Sequence, residues 1–105
     1  MTDYIYKLTI AAGHRIQIDL QDVKLDPSPL LPNGDCTENN DYLEIRDGPE
    51  STSKLIGKIC RDIKVVIVAT SNWLWLKFHS NQLRYTQIEK GFRAVVSHYS
   101  KFIYM

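Results

Sequence analysis

An antiparallel β-sandwich is the fold class the sequence predicts, and three observations predict it. Apolar residues recur at every second position through most of the chain, which is the strand period and not the helical one. Some seven such runs are short and separated by Gly, Pro, Asn, Asp and Ser clusters. No stretch carries a convincing helical pattern, and runs of short strands with one polar face need a second sheet to bury the other.

The first run alternates Tyr4, Tyr6, Leu8 and Ile10 with Ile5, Lys7 and Thr9, and Ala11-Ala12-Gly13-His14 breaks it. The second alternates Ile16, Ile18 and Leu20 with Gln17, Asp19 and Gln21, so the two together read as a hairpin. A connection from Asp26 to Asn40 follows, in which Pro27, Pro29 and Pro32 exclude a central strand. The third strand, Tyr42–Arg46, sets Leu43 and Ile45 on one face against Tyr42, Glu44 and Arg46 on the other, and Asp47-Gly48-Pro49 turns the chain. Leu55–Cys60 and Lys64–Ala69 are two further strands. Trp73–His79 alternates without a break, Leu74, Leu76 and Phe78 opposing Trp73, Trp75, Lys77 and His79. A polar loop, Ser80–Gly91, leads to the last strand, Phe92–Tyr99, and the apolar Lys101-Phe-Ile-Tyr-Met105 either extends that strand or belongs to a tail, 100–105, that meets a neighbouring domain.

The 105 residues are expected to form one domain, with its core within about 4–99. Thirteen basic and twelve acidic side chains are scattered without a basic block, so nucleic acid is not an expected partner. The longest apolar run, Val65-Val66-Ile67-Val68-Ala69, is far too short to enter and cross a bilayer. Met1-Thr2-Asp3 reads as the start of an expressed fragment. Cys36 and Cys60 fit no zinc spacing; a bridge between them, inert thiols or half of a metal site are the three readings, and a bridge would add about 3 kcal/mol. His14, His79 and His98 lie on separate segments and read as surface residues. No nucleophile sits in a catalytic context, so an enzyme is not expected.

Three stretches in register resemble the CUB domain family. Cys36-Thr-Glu-Asn-Asn-Asp41-Tyr-Leu-Glu-Ile-Arg-Asp-Gly48 is similar to its Cys-x-x-Asp-Tyr-(apolar)-Glu-Ile-x-Asp-Gly signature. Ile56-Gly57-Lys-Ile-Cys60 is similar to its (apolar)-Gly-x-(apolar)-Cys element. Asn72-x-Leu74-x-Leu76-x-Phe78-x-Ser80-Asn81, with Gly91-Phe92-Arg-Ala94, resembles the family's ending. The resemblance implies a jelly-roll-like sandwich, a Cys36–Cys60 disulfide, an extracellular setting in a secreted or membrane-anchored mosaic protein, and a role in recognising other proteins. The chain departs from the family's pattern where Tyr4 stands at the usual place of a second cysteine, and Leu30-Leu31-Pro32-Asn33-Gly34 reads as an insertion.

The resemblance also implies calcium at one end of the sandwich, a weak site gripping a Lys or Arg side chain of the partner. Its family Glu, Asp and Asp fall here at Asp26, Asp41 and Asn81, with Asp35 and Glu38 of the inserted loop able to compensate for the missing charge. Trp73 and Trp75, facing outward by alternation, form an expected exposed aromatic patch for a ligand. Two alternatives accompany this reading: a carbohydrate-binding relative that stacks glycan on Trp73 and Trp75, and a structural spacer with no ligand of its own.

Overall fold

In a computed structural model, residues 2–25, 31–37, 40–80 and 91–99 are described. They form seven strands: β1 Thr2–Thr9, β2 Ile16–Lys24, β3 Tyr42–Asp47, β4 Lys54–Ile59, β5 Val65–Val68, β6 Trp73–Ser80 and β7 Gly91–His98. One sheet runs β1-β6-β3-β4 and the other β5-β2-β7, with every neighbouring pair antiparallel. Among the described residues no helix is long and apolar enough to cross a membrane.

Alternation supplies each sheet with one inner face. Ile16, Ile18, Leu20, Val23 and Leu25 on one side meet Leu43, Ile45, Leu74, Leu76 and Phe78 on the other, and together with Ala69 they form the core. Fully burying an aliphatic side chain of this size is worth about 1.5–3 kcal/mol, so this layer is the main source of stability. The order of the apolar residues along β2 slips by one position, from 16, 18 and 20 to 23 and 25. The structure accommodates that slip as a β-bulge between Leu20 and Asp22, which turns Val23 back into the core.

The expected hairpin of the first two strands does not form. β1 pairs with β6, and β2 pairs with β5 and β7, so the two lie in different sheets. Residues 11–15 carry the chain across the sandwich beside a second crossing at 69–72. The Ile10 and Ile16 amides donate to the carbonyls of Asn72 (3.1 Å) and Ser71 (2.9 Å), and the Ala69 amide donates to the Ile16 carbonyl (2.9 Å). Alternation identifies a strand but carries no information about its partner, which is set by where the apolar face finds a core.

Two features hold the edges of this frame. Cys36 and Cys60 form a disulfide with a Cα–Cα distance of 5.8 Å, tying the connection before β3 to the end of β4. At the opposite end of β3, Gly48 adopts φ +145° against Ser53, and the Asp47 carboxylate caps the next crossing by accepting from the Thr70 amide (3.0 Å) and hydroxyl (2.8 Å). The tail expected at 100–105 lies outside the described residues.

Candidate functional site

Asp41 is fully buried immediately ahead of β3. The turn before it is built by Asn40, whose side-chain oxygen accepts from the Thr37 amide (2.8 Å) and hydroxyl (3.1 Å), while the Asn40 amide donates to the Thr37 carbonyl (3.0 Å). That turn sits between the disulfide and β3, so the position of Asp41 is fixed from both sides. Tyr42 pairs with His79, which brings the end of β6 at Ser80 alongside. The end of β2 comes to the same end of the sandwich, where the Leu25 amide donates to the Asp62 carboxylate (3.2 Å) just past Cys60. Leu25 and Ser80 are the chain neighbours of Asp26 and Asn81, which themselves lie outside the described residues, as does Glu38.

Asp41 is therefore the one member of the expected calcium set that the described structure places. Its carboxylate is an oxygen ligand of the type a hard cation takes. Among the described residues no group of three or more His, Cys, Asp or Glu side chains converges as a metal cluster. Asp35 is exposed on the inserted loop, accepting from the Asn33 side-chain amide (2.8 Å) and donating its own amide back to it (3.0 Å). Together with Cys36, Lys58 and Arg61 it lines a shallow recess of about 460 Å³.

The two tryptophans do share an outward face, but they do not form an exposed patch. Trp75 is only 6% exposed. In the middle of the four-stranded sheet, with Lys7 on one side and Arg46 on the other, it has neighbours long enough to lie over the indole. Trp73, opposite Thr9, is half-buried. Stacking on a sugar or an anchor pocket needs an open ring face, which Trp75 lacks.

What the expectations missed is the constellation between these strands. Cross-strand pairing puts Ile5, Lys77, Glu44 and Lys58 in one row across the sheet, and Lys7, Trp75, Arg46 and Leu55 in the next. Glu44 is the hub: Arg46 Nε donates to its carboxylate at 2.8 Å, and Lys58 and Lys77 Nζ lie at 3.8 Å. Arg46 is held further by a bond from Nη1 to the Ser53 carbonyl (3.0 Å). The Tyr42 ring stacks on His79 at 4.6 Å and lies under both ammonium groups, Lys58 at 4.7 Å and Lys77 at 5.4 Å. His79 Nδ1 is 2.6 Å from the Asp3 carboxylate. Burial works against the charge on Lys77, but the hydrogen bond to Tyr42 and the charges of Tyr42, Glu44 and Asp3 outweigh it, so its pKa is raised. Tyr42, Glu44, Arg46, Lys77 and His79 were visible in sequence as the outward positions of two strands; the pairing that joins them to each other and to β1 and β4 was not.

A second surface lies where the two sheets part. Tyr4, Tyr6, Phe78, Phe92 and Val96 line an apolar groove of about 580 Å³ between β1 and β7, with the Tyr6 and Phe92 rings edge to face at 5.6 Å.

A sequence model of the CUB domain matches residues 2–95. The chain is 33% identical over 82 residues to Tolloid-like protein 1 from Homo sapiens, covering 77% of this chain and 7% of that protein. It is 35% identical over 78 residues to bone morphogenetic protein 1 from Xenopus laevis, covering 73% and 10%. With cubilin from Rattus norvegicus it shares 34% identity over 91 residues, 86% of this chain and 2% of the relative. With the two-sheet frame and its disulfide, these matches establish that the chain belongs to the CUB domain family. It spans a tenth or less of the length of each of these relatives.

Proposed function

We propose that this chain is an extracellular protein-recognition module that docks its ligand without chemistry, through the loops at the end of the sandwich where Asp41 lies. Membership of the CUB family supports the reading, and so does the disulfide, which persists in oxidising compartments. The observation that carries it is the placement of Asp41: a fully buried carboxylate, fixed between a cross-linked loop and a central strand, at the end to which the neighbours of Asp26 and Asn81 also run.

Asp26, Asp41 and Asn81 are the residues that would hold calcium there, and the ion would supply fixed positive charge to orient carboxylates toward a Lys or Arg side chain of the partner. A charge-assisted bond set up in advance loses little entropy when it forms. A calcium titration read by thermal melting tests the metal. With a dissociation constant of about 0.5 mM, within the range of extracellular modules, 2 mM calcium stabilises the fold by about 1 kcal/mol and raises Tm by ~5 °C. Asp41→Asn should remove the rise. No rise in the unaltered chain would eliminate calcium. Docking is tested separately, by a lysine-bearing peptide titrated with NMR detection. Shifts away from residues 40–42 and 79–80 would eliminate the loop end as the docking site.

A further inference from the structure

The outer face of the β1-β6-β3-β4 sheet is lopsided in charge, in a way the chain's net charge of +1 hides. Lys7, Arg46, Lys58 and Lys77 fall in two adjacent cross-strand rows, and the carboxylate within those rows is Glu44, giving four cations against one anion. Asp3, one row further along β1, is engaged with His79, and Asp35, which shares a recess with Lys58 and Leu55, has the further cation Arg61 in the same recess. Depth separates the signs: the Glu44 side chain is 7% exposed, while those of Arg46, Lys58 and Lys77 are 22–35% exposed and Lys7 is exposed. The anion is sunk and the cations are presented. Glu44 thus holds three of them in place while leaving the excess positive charge turned outward.

Apolar side chains flank this charge. Ile5, beside Lys77, is 50% exposed, and Leu55, beside Arg46, is 44% exposed. They stand on the two outer strands, β1 and β4, with the cations between and around them. From this arrangement we infer that the sheet face is a docking surface for an acidic segment of a partner protein that carries apolar side chains among its carboxylates. Charge complementarity sets the sign of the partner, and Ile5 and Leu55 set its class. A sulfated polysaccharide or a nucleic-acid backbone would satisfy the cations but bury neither apolar side chain, whereas an extended peptide with Glu and Leu together at every second position offers both on one face, its like-facing residues about 6.8 Å apart. The surface adjoins the loop end around Asp41 through Tyr42 but includes none of the residues proposed to hold calcium.

The test is an NMR titration of the whole chain with three probes: a capped seven-residue peptide with Leu, Glu, Glu and Leu at its odd positions and Ser between them, its Gln-for-Glu counterpart, and a heparin hexasaccharide. Amide shifts should saturate at Ile5, Lys7, Arg46, Leu55, Lys58 and Lys77 with the acidic peptide, at least tenfold more tightly than with the Gln peptide, and weaken severalfold between about 50 and 300 mM salt. Lys7→Glu, at the one of the four cations outside the Glu44 contacts, should weaken binding severalfold with Tm little changed, and Lys7→Arg should retain it. Equal binding of the Gln peptide, shifts on another surface, or tighter saturation by heparin would each overturn the inference. The unaltered chain decides the matter even where the charge-reversed variant fails to fold.

Discussion

Replacing Glu44 by Gln removes one negative charge from beneath three cations and leaves the shape of the side chain intact. The Arg46 contact at 2.8 Å is a charge-assisted hydrogen bond on a nearly buried acceptor, and losing the charge from such a bond costs about 1.5–3 kcal/mol. Lys58 and Lys77, at 3.8 Å and partly in solvent, add at most about 1 kcal/mol each. Against this, Gln still accepts a hydrogen bond and costs less to desolvate, so the net loss is about 2 kcal/mol. For a domain of this length that lowers Tm by roughly 8–16 °C. Thermal melting followed by circular dichroism measures it, and a double-mutant cycle with Arg46→Met isolates the pair, with an expected coupling of about 1–2 kcal/mol. The variant should also recover part of its loss on going from about 20 mM to 0.5 M salt, because the three cations then repel one another through screened solvent. A fall in Tm of less than about 3 °C, or no coupling to Arg46, would refute the view that Glu44 organises this face.

Gly48→Ala should destabilise the fold by about 2–4 kcal/mol in urea unfolding, since φ +145° is strained for an L-residue and the new Cβ would lie 2.8 Å from that of Ser53. Replacing Cys36 and Cys60 together by Ser frees a 24-residue separation in the unfolded chain and should cost about 3 kcal/mol by the same assay, with the sheet signature retained at low temperature. The raised pKa of Lys77 means that the fold favours its protonated form. That contribution is fully present below pH 10.5 and is lost as pH rises through the higher folded value, so the alkaline fall of Tm above pH 10.5 should be shallower in Lys77→Met. Asp41→Asn also probes a fully buried group and should lower Tm in calcium-free buffer.

The strands were legible because burial on one side writes itself into a chain as period two. Leu74, Leu76 and Phe78 are buried in the core, as the alternation of that segment requires, while on the outward face Trp73 and Lys77 are half-buried and Trp75 and His79 buried. The phase slip from Leu20 to Val23 was also there to be read, as the mark of a bulge. The disulfide was not legible from spacing, since a separation along the chain does not give a distance through space; the resemblance to a family supplied it, and the geometry bears it out. Trp75 misled because alternation tells which face a residue takes and says nothing of what covers that face. Trp75 stands on a central strand, opposite Lys7 on one side and Arg46 on the other, and is 6% exposed.

Taken by itself, the sequence determined that this protein is made of strands, which side chains enter its core and which family it joins. All three follow from local order, either the two-residue repeat or motifs read along the chain. Only the tertiary structure decided that β1 leaves β2 for β6, and that Glu44 collects Arg46 from its own strand and Lys58 and Lys77 from two others. Hydrogen-bond ladders join any two strands equally well, so register and partner are fixed by the packing of both sheets at once, and a surface assembled across strands exists only when that packing is complete.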